Sequence, residues 1–571
     1  MQSSISENKE NPENIPSAPG LDAKNEPGQT PWEPHAETVA VLSKPVWILL
    51  LVFSLALLMD RILFYRQPGA QWTIFVNGLL AVIFISAALE RKRIPYTSVL
   101  LALMVSAAAV LTIFRLEAFT ITALVLFSIL GTVLLAVSLL NGQGFVYRLR
   151  EYAGQGLRLV ASVLVGLPAG LIQSSQQAKQ QNAVDSGSRP RSGAVLRGIL
   201  IALPLVALLG LLLASADAVF SSRFSALWDW IKIEKPEEFI FRLMFMLTLT
   251  YALFGLVWHA LTKTGEKLAL EPDQGLVKPF LGMTESAIIL SALNALFAAF
   301  VLVQVKYFFA GAQNINVEGF TYAEYARRGF FELVVAAIIT LLVHYGLASL
   351  TRRDDRGRKA LFSILASLLL LQTGVILFSA FQRLSLYEAA YGFTQARLTA
   401  HVIMVFLGGV LALSIIMEIT RSYKRLAVSL LLVLLAFGLT LSFLNVDRTI
   451  ARQNLQHAQA GSELDLAYLA GSGLSEDGTP ELFAAFDDPA LSPELKESLG
   501  LVLSCRAARF EQDGPGSAFW ASWHASRAAA GRLYLSRAED LAEYPLQSFT
   551  EGKGFLVEGF PFICAYAESM P

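Results

Sequence analysis

Eleven apolar blocks of about twenty residues each punctuate the chain, at 46–65, 72–89, 96–114, 119–140, 195–214, 239–261, 285–307, 329–350, 359–380, 397–419 and 425–444. A helix needs roughly 17–25 apolar residues to cross about 30 Å of hydrocarbon, and these blocks have that length. A strand-built alternative would show ten-residue stretches of alternating polarity, which are absent. The chain is 54% apolar and 16% charged, against about 45–50% and about 25% in soluble domains. A soluble multidomain protein, a disordered chain, a collagen-like chain and a disulfide framework are thereby excluded. The expected fold is all-α, a polytopic transmembrane helix bundle of about eleven spans. A twelfth stretch, 159–172 (LVASVLVGLPAGLI), is fourteen residues long and carries Pro168; it reads as an interfacial or re-entrant segment.

Basic side chains between the blocks set an orientation, because cytoplasmic loops collect Lys and Arg. With eleven crossings and the N-terminus inside, inner segments hold 24 Lys and Arg and outer ones 11. Letting 159–172 cross would put the later basic connections outside, so eleven is preferred. Residues 1–45 then form a disordered cytoplasmic arm, rich in Pro, Glu, Asn and Ser. Residues 46–140 form a four-helix transmembrane part, 141–194 a cytoplasmic linker with the interfacial segment, and 195–445 a seven-helix transmembrane domain. Residues 446–571 form a small helical extracytoplasmic C-terminal domain. A cytoplasmic-membrane location follows.

The C-terminal part holds 18 acidic and 9 basic residues, a net of −9. Acidic tail and basic remainder are an ordinary segregation that gives no support for nucleic-acid binding. Helical apolar spacing recurs at 447–458, 463–470, 493–510 and 517–535, while KGFLVEGFPFICAY looks extended. The only cysteines, Cys505 and Cys564, lie here. Outside the cytoplasm a disulfide persists; a disulfide and two unrelated buried thiols are the two readings.

Soluble-enzyme motifs are missing: no phosphate loop, no HExxH, no GxSxG, and no His/Cys cluster that would hold a metal. No cofactor is expected and no catalytic residue is assigned. His259, His344 and His401 fall in or near blocks and read as interhelical hydrogen-bonding groups. Ionisable groups inside a bilayer are costly and mark function by default, yet midway along the blocks stand only Asn294 and Gln372. These suit interhelical hydrogen bonding.

Polar and aromatic chemistry gathers instead at the outer ends. In GFTYAEYARRGFFELV (319–334), Thr321 and Glu324 form a capping box. Glu324, Arg328 and Glu332 then follow at i, i+4 and i+8, with Tyr322, Tyr325 and Arg327 alongside. In FQRLSLYEAAYGFTQARL (381–398), Tyr387 and Tyr391 lie one turn apart, accompanied by Arg383, Glu388 and Arg397. Gly392 suits a C-cap and Thr394 an N-cap, which makes 381–391 a short outer helix. SADAVFSSRFSALWDW (215–230) reads as an aromatic interfacial anchor. An Arg- and Tyr-lined outer face suits an anionic lipid head group, an envelope protein, or the acidic tail itself.

The segments TESAIIL (284–290), LNALFAAFVLVQVKYFF (293–309), TYAEYARRGFFEL (321–333) and LYEAAYGFTQARL (386–398) resemble the bacterial membrane family known as domain of unknown function 4173. A relative, number 4153, has a similar YG-T-x-x-R element. The resemblance runs from about residue 195 to 455 and includes NVDRTIARQNL. It implies a multi-pass bacterial membrane protein and brings no activity, substrate or cofactor. Three functions compete: a non-enzymatic envelope protein binding a lipid head group or protein partner, a transporter lined by Asn294, Gln372 and Ser291, and a glycosyltransferase using lipid-linked donors through Asp60.

Overall fold

The computed structural model describes residues 42–63, 70–142, 149–182, 236–264, 280–309, 330–352, 355–421, 426–512 and 520–566, with Val206 and Leu213. Ten of the eleven apolar blocks fall on these residues and are helical. They are α1 (Pro45–Leu63), α2 (Ala70–Leu89), α3 (Tyr96–Leu111), α4 (Ala118–Ser138), α6 (Pro236–Thr262), α7 (Met283–Phe309), α8 (Phe330–Leu350), α9 (Arg356–Tyr391), α10 (Gln395–Thr420) and α11 (Leu426–Leu444). The block at 195–214 lies outside the described residues apart from Val206 and Leu213. Eight described helices are long and apolar enough to cross a membrane, or nine if α11 is joined to the bent continuation that follows it. The protein is an integral, multi-pass membrane protein.

Residues 149–182 form one continuous helix, α5, with Pro168 inside it. The re-entrant reading of 159–172 is therefore corrected: the chain does not turn back there. The helix lies against the C-terminal half of α6, where Ser162 Oγ meets His259 Nδ1 at 2.8 Å and Tyr251 donates to the Leu164 carbonyl. A Cβ at Gly255 would stand 2.5 Å from Val163 Cα, so only glycine allows this backbone approach.

Helices α1 to α6 share one apolar core, with Ile83, Leu124, Phe127, Leu135 and Phe254 fully buried. Helices α7 to α10 share two smaller clusters around Phe362, Leu369 and Leu370. Helix α9 packs on α7, α8 and α10, and α11 packs on both α4 and α10, so α11 joins the two groups. Apolar side chains such as Ile288, Leu296, Leu302 and Leu342 remain exposed on the outside of the bundle. In a bilayer these face lipid, where exposed apolar surface carries no penalty.

Hydrogen bonds sort the helix connections onto ends. At one end, Glu90 accepts from Ser43 and Lys44 backbone N–H groups, and Leu140 N–H bonds Thr264 Oγ1. At the opposite end, Asp60 receives a forked bond from Arg242 at 2.6–3.2 Å, and Arg115 Nε donates to the Ser442 carbonyl at 2.6 Å. That second end also carries the C-terminal residues.

Asn445 turns the chain in the left-handed region, at φ 50°, and its side chain accepts from Arg448 N–H. This starts α12 (Val446–Gln459), bent 48° away from α11. Then come α13 (Leu466–Ala470), α14 (Thr479–Phe486), α15 (Pro493–Gln512), α16 (Ala525–Ser536) and α17 (Ala538–Leu541). The stretch expected to be extended is an antiparallel sheet in the order β1 (Gln547–Phe549), β2 (Gly552–Val557) and β3 (Phe560–Tyr566). A strictly helical tail is thus corrected to helices plus a three-stranded sheet. These elements share a core of Leu482, Leu499, Val502, Leu503 and Phe555 with the end of α11; we call them the cap. Cys505 on α15 and Cys564 on β3 are disulfide-bonded, 59 residues apart. Closing a loop of that length stabilises by about 4 kcal/mol in the chain-entropy account.

The cap is organised around Arg506, which is 3% exposed. Its guanidinium donates to the carbonyls of Leu469, Leu474 and Ser475 at 2.8–3.0 Å and pairs with Glu476 at 3.2 Å. Burial alone would raise the Glu476 pKa. Arg506 and the hydroxyls of Thr479 and Tyr534 outweigh it and hold that carboxyl below its usual value. Removing one member of a buried pair strands the other. Arg506→Met is expected to destabilise the cap by about 3 kcal/mol or more in thermal unfolding of the detergent-solubilised chain. Arg537→Ala, which breaks an exposed pair with Asp487, should change it little; equal effects would contradict the hub role.

Candidate functional site at the cap end of α9 and α10

Helix α9 is 36 residues long. At 1.5 Å per residue that is about 54 Å, whereas about 20 residues suffice to cross the hydrocarbon. Arg356, Arg358 and Lys359 mark its first turn, so the stretch from about Phe381 to Tyr391 stands beyond the far edge. The expected short outer helix does not exist separately. No Gly or Pro interrupts FQRLSLYEAAY, and α9 simply continues through it.

This projecting stretch carries two polar faces. Phe381, Ser385 and Glu388 are spaced at i, i+4 and i+7 and meet α10. There His401 Nδ1 approaches Glu388 Oε2 at 3.0 Å, its Nε2 lies 3.1 Å from Ser385 Oγ, and its ring packs edge-on against Phe381. Ser385 Oγ also donates to the Phe381 carbonyl, and His401 Nε2 lies 3.3 Å from that same oxygen. With a carboxylate at one nitrogen and, at the other, the Ser385 hydroxyl that itself donates to a carbonyl, His401 ties α10 to α9. Glu388 is 4% exposed, and its second oxygen, Oε1, has no hydrogen-bond partner among the described residues.

The other face begins two residues on from Phe381, a rotation of about 200° at 3.6 residues per turn. There Gln304 Oε1 on α7 accepts from Ser379 Oγ at 2.9 Å and Arg383 Nη2 at 3.0 Å. Arg383 and Glu388, both placed beside the Tyr387–Tyr391 pair from the sequence, therefore bond different helices.

Past Glu388 the chain turns through Gly392, at φ 74°, whose N–H returns to the Glu388 carbonyl at 2.8 Å. A Cβ on Gly392 would meet Asn454 Oδ1 at 2.9 Å. Arg397 Nη1 binds the carbonyls of Tyr391 and Gly392, and its guanidinium lies 4.3 Å from the Tyr387 ring centre. Tyr387 and Tyr391 are 5.0 Å apart, centre to centre. Thr394 occupies the N-cap of α10, yet its hydroxyl makes no capping bond.

The same turn docks on the cap. Asn454 exchanges two bonds with the backbone of Phe393, at 2.7 and 2.9 Å. Gln395 N–H donates to Tyr468 Oη at 2.9 Å, and Gln395 Nε2 donates to Asp447 at 2.7 Å. GFTQ and NVDRTIARQN, separate features of the sequence, are two sides of one contact.

Among the other predicted positions, Tyr322, Glu324, Tyr325, Arg327 and Arg328 lie outside the described residues, and Glu332 is exposed in the first turn of α8. Asn294 donates to Leu290 on its own helix and to the Leu365 carbonyl on α9. Gln372 is half-buried on α9. Asp60 is buried against Arg242. Of the four arginines offered as a docking base for the acidic tail, Arg327 and Arg328 lie outside the described residues, while Arg383 bonds Gln304 and Arg397 bonds the Tyr391 and Gly392 carbonyls. Residues with roles the sequence reading had not assigned are Ser385, Gln304, Asp447, Asn454 and Tyr468, while His401 gains a carboxylate partner. The length of α9 beyond the hydrocarbon was the available signal for the first of these.

The sequence model of the family described as Domain of unknown function (DUF4153) matches residues 98–485. That family is the relative noted for its YG-T-x-x-R element, and the match both begins earlier than the resemblance did and runs into the cap as far as α14. Family 4173 itself is not found. No curated protein and no solved structure matches the chain.

Asp447 gives the docking contact a pH dependence. It is fully buried, and it accepts from Gln395 and from Ser475 N–H. Burial raises its pKa from 3.8 to about 6, against the pull of those two bonds and with Asp477 adding to the rise. A carboxyl raised on folding binds its proton more tightly in the folded chain, so this group favours folding more as pH falls from about 7 towards 4. The span is worth on the order of 2 kcal/mol. Thermal unfolding at pH 5 and pH 7 should show Asp447→Asn losing part of the gain that the wild type makes at pH 5. An unchanged difference would contradict this.

Proposed function

The chain belongs to the family described as Domain of unknown function (DUF4153), and on that footing we propose that it is a non-enzymatic, eleven-span envelope protein that binds a lipid head group at its capped end. The tenfold helical pattern, with the block at 195–214 as the remaining span, supports the count. The excess of Lys and Arg on connections away from the cap supports an inner N-terminus and an outer cap. Cys505 and Cys564 bonded to each other suit an oxidising compartment.

One observation supports the binding reading: Glu388 Oε1 is buried beside His401 and has no hydrogen-bond partner among the described residues. A buried carboxylate oxygen is costly to leave unmatched, and what completes it is a hydrogen-bond donor. A primary ammonium or a hydroxyl fits; a bare anion does not. Arg397, stacked on the ring of Tyr387 beside Glu388 in sequence, spends Nη1 on carbonyls, and its Nε and Nη2 are the donors through which a phosphate would be held. The favoured ligand is thus a phospholipid with an amine-bearing head group rather than the plain anionic lipid suggested by arginine count.

Native mass spectrometry of the protein released from mixed-lipid nanodiscs tests this. Lipids with a primary amine should be retained over choline lipids of the same chains, by roughly tenfold for one charged hydrogen bond, and Glu388→Gln should erase the preference. Equal retention by the wild type would contradict the reading, as would preferential retention of anionic lipids lacking an amine.

A further inference from the structure

Two tryptophans of the cap lie far in sequence from any span, yet the structure holds them at the level where the spans end. Helix α2 has 20 residues, about the hydrocarbon thickness, so Ala70 at its start marks the boundary. Ala70 N–H donates to the Trp523 carbonyl at 3.1 Å, and Gln71 Nε2 reaches Ser522 Oγ at 3.3 Å. The neighbouring α3 ends level with it, because Thr73 Oγ1, one turn into α2, donates to the Ala109 carbonyl near the end of α3. The cap segment is bonded to the loop that follows: Ala525 N–H donates to the Ile113 carbonyl at 3.0 Å, and Ser526 Oγ to that of Phe114 at 2.9 Å.

At this depth the exposed groups are aromatic. Trp520 is 62% exposed, Trp523 51%, Phe114 45% and Phe119 47%. Rings of this kind on water-facing surface are costly, whereas tryptophan is favoured at the head-group boundary, where its ring is half apolar and its N–H stays hydrated. We propose that Trp520 and Trp523, with Phe114 and Phe119, form a lipid-contact surface by which the cap rests in the head-group and upper acyl region of the leaflet on its side. The occupant is the bilayer, because the four rings adjoin the ends of α2, α3 and α4, where the lipid already begins. The inference is independent of the Glu388 site.

The chain's two cysteines are bonded to each other, so a single added cysteine can be labelled without background. A nitroxide at Trp523→Cys, in nanodiscs, should collide readily with oxygen and several-fold less with a water-soluble nickel complex than a label at Leu535→Cys, an exposed cap position. Equal access to the nickel complex at both positions would overturn the proposal. Protection from both colliders would also overturn it, because the surface would then be covered by protein. Should the cysteine variant fail to fold, brominated lipids provide the second reading. They should quench wild-type tryptophan emission more than that of the Trp520→Phe, Trp523→Phe double variant, and identical quenching of the two would contradict the proposal.

Discussion

The loop after α3 imposes the constraint on which the capped end depends. It leaves α3 at the level where α2 begins, since Thr73 Oγ1 of α2 donates to the Ala109 carbonyl, and from Thr112 to Glu117 its backbone groups stand at the edge of the hydrocarbon. Irregular backbone at such a depth is tolerated only where protein satisfies it. The satisfaction is nearly complete. Asp477 accepts from Leu116 N–H at 2.7 Å, and His524 Nε2 sits 3.2 and 3.0 Å from the carbonyls of Thr112 and Arg115. Ala525 and Ser526 take the carbonyls between them, and buried Glu117 caps α4 through Phe119 and Thr120 N–H groups. The C-terminal residues are therefore part of the solution to a membrane problem set near residue 115.

A second attachment, between the GFTQ turn and α12, fixes the cap over the other half of the bundle. Asn454 treats the Phe393 backbone as a strand would, and Asp447 ties Gln395 to the Ser475 backbone. Both attachments rest largely on backbone groups and neutral donors, with one buried carboxylate at each, rather than on surface ion pairs. Such contacts are little screened by salt and costly to break. The cap is consequently tied to the turn between α9 and α10, at Phe393 and Gln395, just beyond Glu388.

The positions of the apolar helices were largely readable from hydropathy, because a helix in lipid must be apolar along its whole length and this leaves a mark about twenty residues wide. Their number was less so, since eight or nine of the described helices, against the eleven blocks, are long and apolar enough to cross. The bond between Cys505 and Cys564 was readable as one of two possibilities. The sheet at the C-terminus was visible only as a vaguely extended stretch. What could not be read was pairing across distance. Glu388 and Arg383 stand beside the same tyrosine pair in sequence, but they bond different helices. Asp477, His524 and Ala525 carry no local sign that they serve a loop some 360 to 410 positions earlier. The family match takes in part of this architecture: Asp447, Asn454, Tyr468 and Asp477, which dock on the bundle, fall inside it, whereas the docking segment from Ser522 to Ser526 falls outside.

Amide hydrogen exchange in nanodiscs addresses the capping of the loop after α3 most directly. Leu116 and Ala525 donate across the contact from opposite sides. Peptides covering 112–117 and 522–527 should exchange as slowly as those from the cap core around Val502, and should be released together with it on mild denaturation. Rapid exchange at either segment while the cap core stays protected would mean that loop and cap are not joined, and would contradict the account.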